Sequence, residues 1–304
     1  MKVLGFGDLV VEKVIIIDKF PKIGEIAKIK SSLEFASGKC ANVIKALSKL
    51  EFNASFIGKV GSDAEGSLLI ENMIHYGIDT KNIILGNENS GIRVIVKSDG
   101  NKKIILENMG ANYNLKLEEI NRIEKVDLAY FVLLRSESLK TQKCIAKIMK
   151  EYGAKVIVNT DNLEKESKEI LSLADVVLLD YSEFSKFSLE QIEDYIKKFL
   201  KNVAIFLIKI RNGINGCIVF ENKNKIEKYI FKNKVEGILN EFSASSAFDS
   251  GFIFGLSKNK SLEESVKLAN VFLKECIKRE EPLSGIPTLH QLNFLLTQRE
   301  FEKV

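Results

Sequence analysis

From about residue 127 onward the chain alternates between two kinds of segment. DLAYFVLL, KVIVNT, DVVLLD and VAIFLIKI are short apolar runs, and helical stretches near 139–152, 165–173 and 188–201 separate them. Strands that are apolar on both faces must be covered on both sides. Strands separated by helices pair in parallel. Together these requirements predict an α/β fold with a doubly wound, mostly parallel sheet flanked by helices. A chain of 304 residues is long enough to bury such a core.

The first part of the chain is read the same way. Residues 3–11 read as one buried strand. Apolar residues at 40, 43, 44, 47 and 50 follow helical spacing. A strand at 55–60 and a helix near 64–76 come next. RVIVKSDGNKKIIL (93–106) places two β-rich runs around Asp99-Gly100, a hairpin signal, and GCIVFENKNKIEKYIF (216–231) reads as a second hairpin. Helices near 247–257, 262–280 and 288–297 close the chain. No repeat or linker interrupts it, so residues 1–304 read as one domain, with segments at about 12–35 and 90–108 forming a separate flap.

Charge narrows the partners. The 45 basic and 41 acidic residues leave a net charge of +4 with no long basic block, which argues against nucleic acid and membrane surfaces. No run approaches the ~20 apolar residues of a membrane span. Four scattered cysteines, Cys40, Cys144, Cys217 and Cys276, point to reduced thiols in a soluble, cytoplasmic protein. Two histidines, His75 and His290, make a His/Cys zinc site improbable.

Open α/β sheets bind ligands beyond the carboxyl ends of their strands. That rule directs attention to SGKCAN (37–42), to Asp180–Glu183 and to RNGING (211–216). Lys39 has two readings, a counter-charge for a phosphorylated ligand or a solvated lysine. In LNEFSASSAFDSGF (239–252), the turn Ser243-Ala244-Ser245-Ser246 precedes an apolar helical run. Such a turn could hold an anion on its N–H groups or could simply cap a helix.

In combination these segments resemble the ribokinase-like, phosphofructokinase-B type carbohydrate kinases. The resemblance spans GFGDLVVEKV, FPKIGE, SGKCAN at the place of a G-G-x-x-x-N turn, FIGKVGSDAEGSLL, ENMGAN, AFDSGFIFGLSKNKSLEESVKLAN and SGIPT. It implies ATP- and magnesium-dependent phosphoryl transfer to a hydroxyl of a small sugar. The flap would serve as a lid and as a possible homodimer surface. By the same resemblance Glu12, Gly38 and Asn42 fall at acceptor-binding positions, and Lys39, next to Gly38, is grouped with them as a candidate substrate contact. Asp180, Glu183, Gly213, Gly216, Ser243, Ala244 and Ser245 fall on the nucleotide side, with Glu183 supporting the metal through water.

The resemblance also locates a departure. The family's D-T-x-G-A-G-D aligns with Asn240 to Ser246, so both glycines become serines and the general-base aspartate becomes Ser246. A serine hydroxyl cannot replace a carboxylate base, whose contribution is ~10²–10⁴-fold. Asp249 has two readings: a substitute base, or the acid of a capping box with Ser246 as N-cap. The arginine of the family's D-x-N-x-R is absent from Asn159-Thr160-Asp161-Asn162-Leu163. The expectation is a slow or impaired sugar kinase. The alternative is a non-catalytic pseudokinase that binds a sugar or nucleotide as a regulator.

Overall fold

The computed structural model describes residues 1–301 apart from 99–102, 162, 164, 181–187, 200–201, 224, 239–240 and 280–282. The strands are β1 (Lys2–Phe6), β2 (Val10–Ile17), β3 (Ile29–Ser37), β4 (Asn53–Gly61), β5 (Asp79–Gly86), β6 (Gly91–Lys97), β7 (Lys103–Asn108), β8 (Leu128–Val132), β9 (Lys155–Thr160), β10 (Val176–Asp180), β11 (Ile205–Lys209), β12 (Gly216–Asn222) and β13 (Ile226–Lys232). The helices are α1 (Lys39–Lys49), α2 (Ala64–His75), α3 (Ser136–Glu151), α4 (Lys168–Leu173), α5 (Leu189–Phe199), α6 (Ala244–Ser257), α7 (Leu262–Ile277) and α8 (Leu289–Phe301).

Nine strands form one sheet in the order β13-β12-β11-β10-β9-β8-β1-β4-β5, parallel from β11 to β5 and antiparallel through β12 and β13. One face packs on α1, α2, α6 and α7, and the other on α3, α4 and α5. The central strands are therefore buried on both sides, which is why they are apolar throughout. A second sheet, β3-β2-β6-β7, stands apart from the first.

Two expectations need correction. Residues 3–11 are not one strand. β1 ends at Phe6, and β2 starts at Val10 in the small sheet. The break places Asp8 at the start of α1, where its two carboxylate oxygens accept the N–H groups of Lys39 and Cys40, both at 2.8 Å. Two unpaired N–H donors at a helix N-terminus outweigh continuation of the ladder. The edge strand β5 has no counterpart in the sequence reading, because its first four residues, DTKN, are all polar and the strand buries only Ile83 and Gly86.

The hairpin expected around Asp99-Gly100 is present as the antiparallel pair β6–β7, while that dipeptide lies outside the described residues. Helix α6 begins at Ala244 with Ser243 as N-cap and no side-chain capping bond. Ser246 is thus inside the first turn. The Ser246–Asp249 capping box is overturned, since Asp249 turns inward to other partners.

Candidate functional site

A cavity of about 500 Å³ opens between the small sheet and the carboxyl ends of β8 and β9, and reaches the start of α6. Its walls explain what the local sequence does.

The first wall comes from the small sheet and the β1–β2 break. Glu12, paired across the ladder with Arg93, is 3 % exposed. Its Oε2 accepts from Ser37 Oγ at 3.4 Å and meets Arg93 Nη1 at 3.4 Å. Arg93 also reaches Glu107 at 2.6 Å and Asp8 at 3.8 Å. Burial raises the Glu12 carboxyl, with Arg93 opposing. Burial also works against the Arg93 charge, but Asp8, Glu107 and Glu12 outweigh it and raise the guanidinium. Glu12 Oε1 has no hydrogen-bond partner among the described residues. A buried acceptor left open beside a cavity suits a hydroxyl donor.

The start of α1 forms the second wall. Gly38 has φ +129°, and a Cβ there would lie 2.3 Å from the Asp8 carbonyl oxygen, so only glycine fits this turn. Lys39 lines the cavity, and its Nζ donates to Asp180 Oδ2 at 2.9 Å. This pairing holds Lys39 on a buried carboxylate at the cavity wall rather than out in solvent. Asn42 does not line the cavity. It stands behind it, donating to Ser37 Oγ at 3.1 Å, which in turn donates to Glu12.

The third wall is the α6 start, lying over the ends of β9, β10 and β11. Lys209 is fully buried at the end of β11. Its Nζ donates to Asp249 Oδ1 and Ser245 Oγ, each at 2.7 Å, and lies 3.4 Å from Asp180 Oδ1. Ser245 Oγ donates onward to Asp180 Oδ2 at 3.0 Å. Asp249 Oδ2 accepts from Asn159 Nδ2 at 2.5 Å and from the Tyr130 hydroxyl at 3.1 Å. Two lysines and two aspartates thus form a buried, charge-balanced cluster spanning β8 to β11 and α6. Burial opposes the Asp180 charge, yet Lys209 and Lys39 together hold its carboxyl well below the usual carboxylate range. Burial raises the Asp249 carboxyl, with Lys209 opposing and Asp180 adding to the rise.

Ser246 points toward α1, with Oγ 3.5 Å from the Lys39 carbonyl oxygen. Ser243 is buried in an ordinary helical conformation at φ −85°, so the serine carries no backbone strain where a glycine was expected. Its Oγ has no partner among the described residues. Ala244 is buried at the first helical position.

The turn between β11 and β12 runs through three left-handed residues, Arg211, Asn212 and Gly213, at φ 50°, 56° and 89°. A Cβ at Gly213 would meet the Phe248 ring at 2.6 Å, so the glycine lets the turn rest on α6. Asn212 faces the cavity, and Arg211 pairs with Glu241. Gly216 opens β12 against the Phe231 carbonyl, a packing position away from the cavity lining. Glu183 lies outside the described residues. No cluster of metal-ligating side chains occurs among the described residues.

The structure therefore brings Glu12, Lys39 and Ser245 to the cavity and sets Asp180, Ser246 and Asp249 just behind it. Sequence reasoning missed Asp8, Arg93 and Lys209, and left Asn159, Asn212 and Phe242 without a role inside segments it had named. Lys209 carried a signal: a lysine closing the apolar run IFLIK on a strand covered on both faces has to find a buried counter-charge.

Residues 3–289 match the model of the pfkB family carbohydrate kinases. The ribokinase of Lactococcus lactis is 26 % identical over 302 residues, covering 98 % of each chain. The 5-dehydro-2-deoxygluconokinase of Lacticaseibacillus casei is 25 % identical over 297 residues, covering 90 % of each. In fold, Arabidopsis thaliana ribokinase complexed with ribose and ATP superposes with a TM-score of 0.78 at 21 % identity, covering 97 % of this chain and 98 % of that one. The Methanocaldococcus jannaschii nucleoside kinase superposes with a TM-score of 0.81 at 17 % identity, covering 98 % of each.

Proposed function

The chain belongs to the pfkB family of carbohydrate kinases, and on that premise we propose that it binds a small sugar beneath the small sheet and phosphorylates it slowly from ATP. The observation that carries this reading is the first turn of α6. It brings Ser245 to the cleft with Ser246 just behind it, while the carboxylate of the same helix, Asp249, is saturated by Lys209, Asn159 and Tyr130.

The acceptor end of the cleft supports binding. Glu12 Oε1 is an open acceptor for a sugar hydroxyl, Arg93 fixes that carboxylate, and Asn42 holds it from behind through Ser37. The N–H groups opening α6, with Lys39 beside them, suit the transferring phosphoryl group. Magnesium would come with the nucleotide, since phosphates supply most of its ligands. The small sheet would close as a lid. Proton removal from the acceptor hydroxyl then falls to water or to the departing phosphate, which accounts for slow turnover.

A thermal-shift titration tests binding first. Magnesium-ATP is expected to raise the melting temperature, because a ligand at a hundredfold excess over Kd stabilises the native state by ~2.7 kcal/mol. Sugar-dependent ADP release should follow. No shift up to millimolar nucleotide would overturn phosphoryl transfer.

One observation favours a second, non-catalytic reading. The Lys209 cluster fills the space beneath the α6 start with ion pairs that use up both aspartates. That reading predicts shifts with sugar or nucleotide and no ADP release.

Apolar side chains of the small sheet, Ile29, Leu33, Ile104 and Leu106, are 40 to 62 % exposed, which supports pairing of two copies through this sheet. Sedimentation equilibrium should show a dimer that Leu106→Glu disperses; a monomer at every concentration would remove the idea.

A further inference from the structure

Strands β6 and β7 carry two charged pairs, separated by one apolar rung, on the face toward the cavity. Residues two apart on a strand share a face. Arg93↔Glu107, Ile95↔Ile105 and Lys97↔Lys103 are therefore successive rungs of one ladder face. Arg93, Ile95, Lys103, Ile105 and Glu107 line the cavity. The first charged rung is a closed opposite-charge pair at 2.6 Å. The second sets two lysines directly opposite each other, which destabilises a sheet.

Neither lysine has a hydrogen-bond or ion-pair partner among the described residues. Both instead lie against one ring, with Lys97 Nζ 4.1 Å and Lys103 Nζ 5.4 Å from the centroid of Phe242. The acids nearest Lys97 are committed elsewhere, Glu241 to Arg211 and Glu12 to Arg93 and Ser37. Half-burial and the neighbouring Lys103 both lower the Lys97 ammonium. Phe242 immediately precedes the N-cap of α6, a 14-residue helix whose positive end faces the same space. Like charges held together, without counter-charge, beside a cavity and a helix N-terminus describe a place that an anion would complete.

We propose that Lys97 and Lys103 form a subsite for a phosphate group, carried either by the nucleotide or by an acceptor that is already phosphorylated. The subsite rests on the reading of this cleft as the ligand site. It adds that the small sheet contributes counter-charge as well as cover.

The test is calorimetric titration of the full-length protein with tripolyphosphate, with magnesium and a non-hydrolysable ATP analogue, with ribose 5-phosphate and with ribose. Wild type is compared with Lys103→Glu and with Lys103→Gln. Tripolyphosphate is expected to bind wild type about tenfold or more tightly than Lys103→Glu, with Lys103→Gln between them, because charge-assisted bonds are lost. Without ligand, Lys103→Glu should melt at a higher temperature than wild type, since it turns a like-charge rung into an opposite-charge one. A loss confined to the ATP analogue assigns the subsite to the nucleotide. A loss confined to ribose 5-phosphate, with ribose unaffected, assigns it to the acceptor. Equal affinity of wild type and both variants for every phosphate probe overturns the subsite while leaving the kinase reading intact. Failure of wild type to bind any of the four probes overturns both.

Discussion

Lys209→Met should lose about 3–5 kcal/mol of stability, read as the shift in urea midpoint at pH 7. The lysine is fully buried, and its ammonium is the counter-charge of Asp249 and one of two for Asp180. Methionine fills nearly the same volume but leaves Asp249 facing Asp180 with only Lys39 near. The loss therefore comes from an uncompensated buried charge rather than from a cavity.

Two further results separate that cause from poor packing. In Lys209→Met, the Asp249 carboxyl should be raised further than in wild type, because burial and Asp180 both raise it and the opposing lysine is gone. A carboxyl whose folded pKa lies above its unfolded value contributes stability that is complete below the unfolded value. That contribution disappears as pH rises through the folded value. The variant should accordingly gain stability, relative to wild type, as pH falls from 7 toward 4. Adding Asp249→Asn should recover most of the loss at pH 7, since the amide oxygen still accepts from Tyr130 and Asn159. A loss below about 1 kcal/mol, or no recovery in the double variant, would show that the cluster is not held by its charges.

Ser246→Asp should raise sugar-dependent ADP release by about 10²-fold, the lower end of what a positioned carboxylate base contributes. Residue 246 lies in the first turn of α6, where a carboxylate is favoured by the helix end. The lower end is expected for two reasons. Asp8 already places a carboxylate at the facing start of α1, so a new acid opposite it is partly opposed. Ser245 is bound to Lys209 and Asp180, so the turn cannot approach a phosphate as closely as one built from glycine. Asp249→Asn alone should leave turnover unchanged, because its carboxylate is spent inside the cluster. Binding of sugar and nucleotide to Ser246→Asp with no gain in turnover would decide for the non-catalytic reading. A fall in turnover for Asp249→Asn would return that residue to the mechanism.

The large sheet was legible in the chain because its requirement is local. Each of LAYFV, KVIVNT, VVLLD and IFLIK is apolar on both faces, and water exclusion leaves such runs one kind of environment. That Ser246 stands where the resemblance expects an aspartate was legible too, since that expectation depends only on register with the apolar helix that follows. The split of residues 3–11 between two sheets was not. It turns on Asp8 satisfying N–H groups more than thirty positions away.

The same holds for the polar heart of the cleft. Asp249 reads locally as a helix acid three positions after a serine, and a capping box is the cheapest local use for it. Its actual partners come from β8, β9 and β11, 119, 90 and 40 positions distant. Lys97 and Lys103 look like ordinary solvated hairpin lysines until the ladder sets them opposite each other and Phe242 is brought beneath both. Hydrophobic burial is decided by each residue's own transfer from water, so it is written along the chain. Pairing of buried charges depends on distances between segments that only the folded sheet brings together, and tertiary structure alone decided which lysine met which acid.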